Sequence, residues 1–130
     1  MQPNETGSPR KVLIVENDAV LSSMLAHTLS QHGLHVVEAR NGEDALMRTR
    51  EENPDLILLD IDMPKMSGLT MLKELRRAGD ARPIMMLTNL NNPEYIADAA
   101  EYNVHEYLIK ADWEIDEIAE KVMSKLRINP

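Results

Sequence analysis

The sequence lacks several residue types, and each absence limits what the protein can do. Its 130 residues include no cysteine, which excludes disulfide bonds, zinc-thiolate sites and thiol nucleophiles. They include no phenylalanine and only three tyrosines and one tryptophan, so the core must be built from aliphatic side chains and methionine. No run of about 18 apolar residues is present, so no transmembrane helix is predicted. The polar N-terminus does not resemble a signal peptide, and we expect a cytoplasmic protein.

Basic residues are also in the minority. There are 14 Lys and Arg residues against 22 Asp and Glu residues, a net charge of −8 at pH 7. This acidic balance argues against nucleic-acid binding, which requires a basic surface, whereas a cluster of carboxylates would suit a hard metal ion. The hydrophobic share of 43% and the charged share of 28% are ordinary for a globular chain of one domain.

The order of apolar and polar residues predicts an α/β fold. Residues 1–10 are polar with two prolines and are expected to be a disordered lead-in to one domain over residues 11–127, with no output domain after it. From there, short apolar runs alternate five times with stretches of helical spacing. Predicted strands cover residues 11–16, 34–39, 56–59, 84–87 and 104–109. The first predicted helix extends from the cap Asp18 to Gly33, and the others cover residues 43–52, 69–78, 93–101 and 115–126. Five such units predict a doubly wound parallel sheet covered by helices on both faces.

Polar side chains follow all five predicted strands, although strand two offers only Arg40 and Asn41. The carboxyl ends of parallel strands meet at one edge of a sheet, where α/β proteins place their sites. The residues in question are Glu16, Asn17 and Asp18 after strand one, Asp60 and Asp62 after strand three, Thr88 and Asn89 after strand four, and Lys110 after strand five. Such a set could transfer a phosphoryl group: a carboxylate as nucleophile, acidic neighbours for Mg²⁺, and a lysine and a hydroxyl for the phosphoryl oxygens.

Taken singly, these residues have simpler interpretations. Asp18 could be only a helix cap, Thr88 a turn residue and Lys110 a solvated surface charge. Asp60 is more unusual alone, since it directly follows four aliphatic residues. Their convergence on one edge, in the expected strand order, favours the functional interpretation.

Four segments together resemble the receiver domain of bacterial two-component response regulators. They read VLIVEND at 12–18, DLILLDIDMPKMSG at 55–68, MLT at 86–88 and YLIK at 107–110. The similarity covers about residues 10 to 126. It implies a stand-alone receiver with the flavodoxin-like receiver fold, a five-stranded parallel sheet of order 2-1-3-4-5 with five helices.

The resemblance also implies roles for individual residues. Asp60 would be the phosphoacceptor, phosphorylated by a histidine kinase or a histidine phosphotransfer protein. Mg²⁺ would be held by Glu16, Asn17, Asp60 and the backbone carbonyl of Asp62. The protein would be a signalling domain rather than an enzyme, limited to reaction with small phosphodonors and to loss of its own phosphoryl group.

The remaining implied roles concern the transmission of the signal. Thr88 and Lys110 would contact the phosphoryl oxygens, and Tyr107 would turn inward as Thr88 moves. The change would alter the face made by helix four, strand five and helix five, and a downstream protein would bind there. The other aromatic residues assigned to this partner face are Tyr95, Tyr102 and Trp113, because aromatic side chains are common interface anchors. The chain would be a monomer or a weak homodimer without a nucleic-acid or membrane partner.

Three positions depart from the receiver pattern. Asn17 stands where the family usually has a carboxylate ligand, so the pocket loses a negative charge and we expect weak Mg²⁺ binding. Ala111 stands where the family usually has proline, so a cis peptide is not expected. Asn89 stands where a small residue is usual and would narrow access to the phosphoryl group.

Two other functions remain open. The chain could be a pseudo-receiver, a binding module that no longer uses phosphate, which Asn17 and Ala111 favour. Asp60 and Asp62 also fit the D-x-D signature of haloacid-dehalogenase-type phosphatases, with the first Asp as nucleophile and the second as acid/base. Those enzymes usually carry the motif on their first strand and have a larger chain with a cap, so this alternative fits less well.

Overall fold

Five strands and five α-helices alternate in the computed structural model, which describes residues 9–127. The strands are β1 (Lys11–Val15), β2 (His35–Ala39), β3 (Leu56–Leu59), β4 (Ile84–Thr88) and β5 (Tyr107–Ile109). The helices are α1 (Ala19–Gln31), α2 (Gly42–Glu52), α3 (Gly68–Arg77), α4 (Pro93–Glu101) and α5 (Ile115–Lys125). A short 3₁₀ helix, Lys110–Asp112, joins β5 to α5.

The strands form one sheet in the order β2-β1-β3-β4-β5, and every pair is parallel. This confirms the predicted fold class and strand order. All residues of β3 and β4 are buried, as are all residues of β1 except Lys11. Uninterrupted aliphatic runs form such strands because both faces of a doubly wound sheet are covered.

The core consists of two layers, one on each face of the sheet. On one face, α2, α3 and α4 contribute Ala45, Leu72 and Ala99, each fully buried. On the other face, α1 and α5 contribute Leu25 and Val122. The sheet thus lies between two apolar layers, one packed on each of its faces.

Two predicted strands are too long at their start. Strand β2 begins at His35 rather than at residue 34, because the amide of Leu34 donates to Leu29 and so closes the end of α1. Strand β5 begins at Tyr107 rather than at residue 104. Val104 likewise donates to Ala99, at the end of α4. An apolar residue that follows a helix can thus donate its amide hydrogen bond to the last turn of that helix instead of starting the next strand.

The ends of the described chain are joined to the domain. Arg10 accepts a hydrogen bond from the amide of His35 at 2.8 Å, and its guanidinium donates to the carbonyl of Leu126 at 2.9 Å. The expected lead-in over residues 1–10 lies outside the described residues except for its last two positions. Within residues 9–127, no helix combines the length and the apolar character that crossing a bilayer requires.

Candidate functional site

Three charged side chains meet at the carboxyl edge of the sheet. Glu16 follows β1, Asp60 follows β3 and Lys110 follows β5. The Nζ atom of Lys110 is 2.6 Å from Oε1 of Glu16 and 2.7 Å from Oδ2 of Asp60. The carboxylates are nearly buried, with 3% and 4% of their residue surfaces exposed, and the side chain of Lys110 is 17% exposed. The lysine therefore bridges the two acidic groups that the sequence placed on this edge.

Each carboxylate is oriented by a backbone amide of its own loop. Oδ1 of Asp60 accepts the N–H of Asp62 at 3.1 Å, and Oε2 of Glu16 accepts the N–H of Asp18 at 2.9 Å. Asp18 in turn caps α1, since its Oδ1 accepts from two amides of the first turn. Both carboxylates thus leave one oxygen for Lys110, and the loops fix their rotamers.

The charge of Lys110 is balanced by these neighbours. Burial alone would lower the pKa of the Lys110 ammonium, but the hydrogen bonds and negative charges of Asp60 and Glu16 outweigh it. The pKa of Lys110 therefore lies above its ordinary value, and the side chain stays protonated at neutral pH.

Gly68 makes room for the loop that carries Asp60. Its amide donates to the carbonyl of Ile61 at 3.0 Å. A Cβ atom on Gly68 would lie 2.1 Å from the carbonyl oxygen of Asp60, a distance that no side chain tolerates. Only glycine permits this close approach, so the first residue of α3 can lie directly against the backbone of Asp60.

Asn17 and Asp62 lie on the solvent side of the same edge. Both residues are exposed, and the Asp62 backbone contacts Asp60 through its N–H as described. Over residues 9–127, no three His, Asp or Glu side chains are grouped in a way that would hold a metal ion. A cation here would therefore depend on two carboxylates, the amide oxygen of Asn17 and a backbone carbonyl.

Thr88 and Tyr107 are joined through the backbone of one residue, Leu90. The Oγ1 atom of Thr88, which is fully buried, accepts the N–H of Leu90 at 3.3 Å, and the hydroxyl of Tyr107 donates to the carbonyl of Leu90. Burial, followed by the charge of Asp60 and the proximity of Tyr95, raises the pKa of Tyr107. Leu90 was not singled out in the sequence, because its role belongs to its backbone.

A further contact joins the loops that follow β4 and β5. The Oδ1 atom of Asn89 accepts the N–H of Ala111 at 3.2 Å. Among the residues that the structure describes there is no cis peptide bond, as expected for Ala111. The two family departures on this side of the site are thus in direct contact.

Arg40, which directly follows β2, contacts the loop after β1 that contains Glu16. Its guanidinium donates to the carbonyl of Glu16 at 3.4 Å and to the Glu38 carboxylate at 3.3 Å. Ser22 of α1, fully buried, donates to the same carboxylate at 2.6 Å. The sequence placed Arg40 at this edge but gave no sign of these contacts.

The four aromatic residues pack against both core layers. Tyr95, Tyr102 and Tyr107 are half-buried against the layer of α2, α3 and α4. Trp113 packs against the opposite layer, and the ammonium of Lys121 lies 5.2 Å from its ring centre. All four side chains therefore have structural contacts inside the domain as well as some exposed surface.

Comparison with known families identifies the class of this site. A model of the response regulator receiver domain matches residues 12–123. The chain therefore belongs to the response regulator receiver domain family, the CheY-like signalling domains of two-component systems.

Curated relatives share the domain but differ in length. The chain is 31% identical over 117 residues to the chemotaxis protein CheY of Bacillus subtilis, covering 89% of this chain and 97% of that protein. It is 34% identical over 117 residues to the Regulator of RpoS of Escherichia coli, covering 90% of this chain but only 35% of that protein. The chain thus spans about a third of the length of this second relative.

Solved structures show the same architecture. A two-component response regulator from Clostridium difficile superposes with a TM-score of 0.83 at 29% identity, covering 91% of this chain and 96% of that one. The CheX-CheY-BeF3-Mg²⁺ complex from Borrelia burgdorferi gives a TM-score of 0.84 at 25% identity, covering 96% of this chain and 94% of that one.

Proposed function

We propose that this chain is a phosphorylation-controlled switch in which Asp60 accepts a phosphoryl group. The donor is a phosphohistidine of a histidine kinase or of a histidine phosphotransfer protein. The observation that supports this most is the ion pair of 2.7 Å between Lys110 and Asp60 at the carboxyl edge of the sheet. It places a cation where the oxygens of a phosphoryl group on Asp60 would need one.

The transfer requires little beyond positioning and charge compensation. A carboxylate oxygen of Asp60 attacks phosphorus, an O–P bond forms and the P–N bond of the phosphohistidine breaks. The imidazole leaves with the electron pair and binds a proton. The carboxylate of Asp60 is held by the Asp62 amide, and the ammonium of Lys110 lies 2.7 Å from it, where it can contact the phosphoryl oxygens after transfer.

The donor atoms at this edge fit Mg²⁺, and we propose that it binds weakly. The carboxylates of Glu16 and Asp60, the amide oxygen of Asn17 and the carbonyl of Asp62 are the hard oxygen ligands that this ion prefers. When bound, Mg²⁺ neutralises phosphoryl oxygens. Asn17 brings no charge, and the single positive charge of Lys110 offsets one of the two negative charges of Glu16 and Asp60, so the attraction for a second cation is reduced. The Borrelia burgdorferi neighbour was solved with Mg²⁺ and BeF3, which supports the assignment.

We propose that the signal leaves through the face formed by α4, β5 and α5. The backbone N–H and carbonyl of Leu90 connect Thr88 to Tyr107, so a displacement of Thr88 toward a phosphoryl group pulls on the Tyr107 hydroxyl. Tyr95, Tyr102 and Trp113 lie in or beside α4 and α5, are only partly buried, and would contact a downstream protein. Residues 11–127 would work as one cytoplasmic receiver unit, as a monomer or a weak homodimer.

Intact-mass analysis after incubation with acetyl phosphate and Mg²⁺ tests the assignment. We expect one phosphate adduct on the wild-type protein, none on Asp60→Asn, and one on the matched control Asp62→Asn. An adduct that persists in Asp60→Asn would assign the phosphoryl group to another residue.

The same experiment separates the two alternative functions. A pseudo-receiver is favoured by one observation, the ion pairs of Lys110 with Glu16 and Asp60, which offset half of the negative charge of these two carboxylates. Absence of any adduct on the wild-type protein, with the fold intact, would support it. Continuous release of phosphate from p-nitrophenyl phosphate that depends on Asp60 and Asp62 would support the phosphatase instead.

A further inference from the structure

The hydrogen bond between Asn89 and Ala111 joins the segments that follow β4 and β5. Asn89 directly follows Thr88, Ala111 directly follows Lys110, and the Oδ1···N distance is 3.2 Å. Both partners are needed for this bond. A proline at position 111 would have no N–H to donate, and a glycine or alanine at position 89 would have no side-chain acceptor.

The N–H of Ala111 lies at the exposed start of a short helix and has no acceptor within that helix. Lys110–Asp112 forms a 3₁₀ helix without a side-chain cap, and Ala111 is its second residue. The first amides of a helix have no acceptor within the helix. Asn89 supplies one from the neighbouring loop and thereby fixes the backbone immediately after Lys110.

We propose that Asn89 is a positioning residue for Lys110. Strand β5 has only three residues. The residue after Lys110 is alanine, which lacks the ring by which a proline would restrain the backbone at position 111. The bond to Asn89 provides this restraint and keeps the Lys110 ammonium between Glu16 and Asp60. The consequence for a phosphoryl group rests on the proposed function, but the placement of Lys110 in the free protein does not.

The variant Asn89→Leu tests the bond, since leucine has a similar shape and no acceptor. In NMR spectra of the free protein, we expect the Ala111 amide to exchange with water about two- to tenfold faster, the range that corresponds to losing a hydrogen bond of about 0.5 to 1.4 kcal/mol. The ammonium protons of Lys110 should also exchange faster. Asn91→Leu is the matched control, because Asn91 is exposed on the same loop and shows no hydrogen bond to the described residues. Asn89→Asp keeps an acceptor oxygen and should restore protection of the Ala111 amide.

Binding of beryllofluoride in the presence of Mg²⁺ tests the action through Lys110. We expect Asn89→Leu to weaken this binding about two- to tenfold in the wild-type background. In a Lys110→Ala background the same substitution should change nothing. A purely structural role would weaken binding by the same factor in both backgrounds and would overturn the proposal.

The outcomes also separate this inference from the proposed function. Unchanged exchange of the Ala111 amide or of the Lys110 ammonium in Asn89→Leu refutes the positioning role, whatever the protein binds. If the wild-type protein neither binds beryllofluoride nor forms a phosphate adduct, the proposed function fails. The NMR measurement then still decides whether Asn89 positions Lys110.

Discussion

Replacing Lys110 by methionine removes the ammonium and keeps the length of the side chain. The two N–O distances are 2.6 and 2.7 Å, at which unit charges attract by about 6 kcal/mol each at an effective dielectric constant of about 20. Desolvation offsets most of this attraction in the folded state. Removal of one partner of a buried pair costs about 3–5 kcal/mol, because the other charge stays buried and unpaired. Lys110 is partly accessible to water, so we expect Lys110→Met to lose about 3 kcal/mol of unfolding free energy.

Urea unfolding at pH 7 without Mg²⁺ measures this loss. The double variant Lys110→Met with Asp60→Asn should recover part of it, since only one buried carboxylate then remains. Lys65→Met serves as the control, because it removes the same charge from an exposed lysine that makes no ion pair with the described residues. A loss below about 0.5 kcal/mol, the usual range for a surface substitution, would refute the charge balance inferred for the site.

The pH dependence provides an independent check on the same pair. The pKa of Lys110 is raised in the folded state, so its contribution is fully present below the unfolded value of about 10.4 and is lost as the pH rises through the folded value. The stability difference between the wild-type protein and Lys110→Met should therefore be constant from pH 7 to about pH 10 and shrink above it. A difference that grows in alkaline solution would contradict this sign.

Three further substitutions probe other features. Gly68→Ala should lower the unfolding free energy by more than about 2 kcal/mol in a urea titration, because its Cβ would overlap the carbonyl of Asp60; wild-type stability would show that the loop can shift freely. Asp80→Asn should destabilise by about 1–2 kcal/mol at pH 7, since Asp80 accepts from Arg82 at 2.9 and 3.0 Å. Burial opposes ionisation of Asp80, but the hydrogen bonds and charge of Arg82 outweigh it and lower the pKa of Asp80. The stabilisation by Asp80 is therefore present above the unfolded pKa and is lost as the pH falls through the folded pKa. A destabilisation by Asp80→Asn that is equally large at pH 2 would contradict this expectation. Asn17→Asp should tighten Mg²⁺ binding several-fold in an NMR titration, about 1 kcal/mol for one added charge; unchanged affinity would remove position 17 from the metal site.

Much of the fold and of the site composition followed from the sequence. Aliphatic runs such as residues 56–59 predict strands buried on both faces, and the alternation with helical spacing predicts a parallel sheet. Because all parallel strands end at one edge, Glu16, Asp60 and Lys110 could be grouped before any coordinates were known. The structure places these three side chains in direct contact.

The contacts that depend on loop conformation could not be predicted. Leu90 acts through its backbone N–H and carbonyl, and Asn89 accepts from an amide 22 residues away, so neither side-chain type identifies its partner. The start of β5 was misplaced for a related reason. An apolar residue such as Val104 suits both the start of a strand and the end of a helix. Only its hydrogen bond to Ala99 shows that Val104 ends α4.

The strand order also affects how the chain can fold during synthesis. Strand β1 is paired on its two sides by β2 and β3, the next two strands to be made, and β4 and β5 then add in turn beyond β3. None of the five described strands has to insert between two that are already paired. Hydrogen exchange on ribosome-arrested chains ending after α4 should find β1 amides protected, and unprotected amides would argue for late, concerted assembly. Each new strand can thus pair with an edge of the sheet soon after it is synthesised, which limits the time for which that edge is open to other chains.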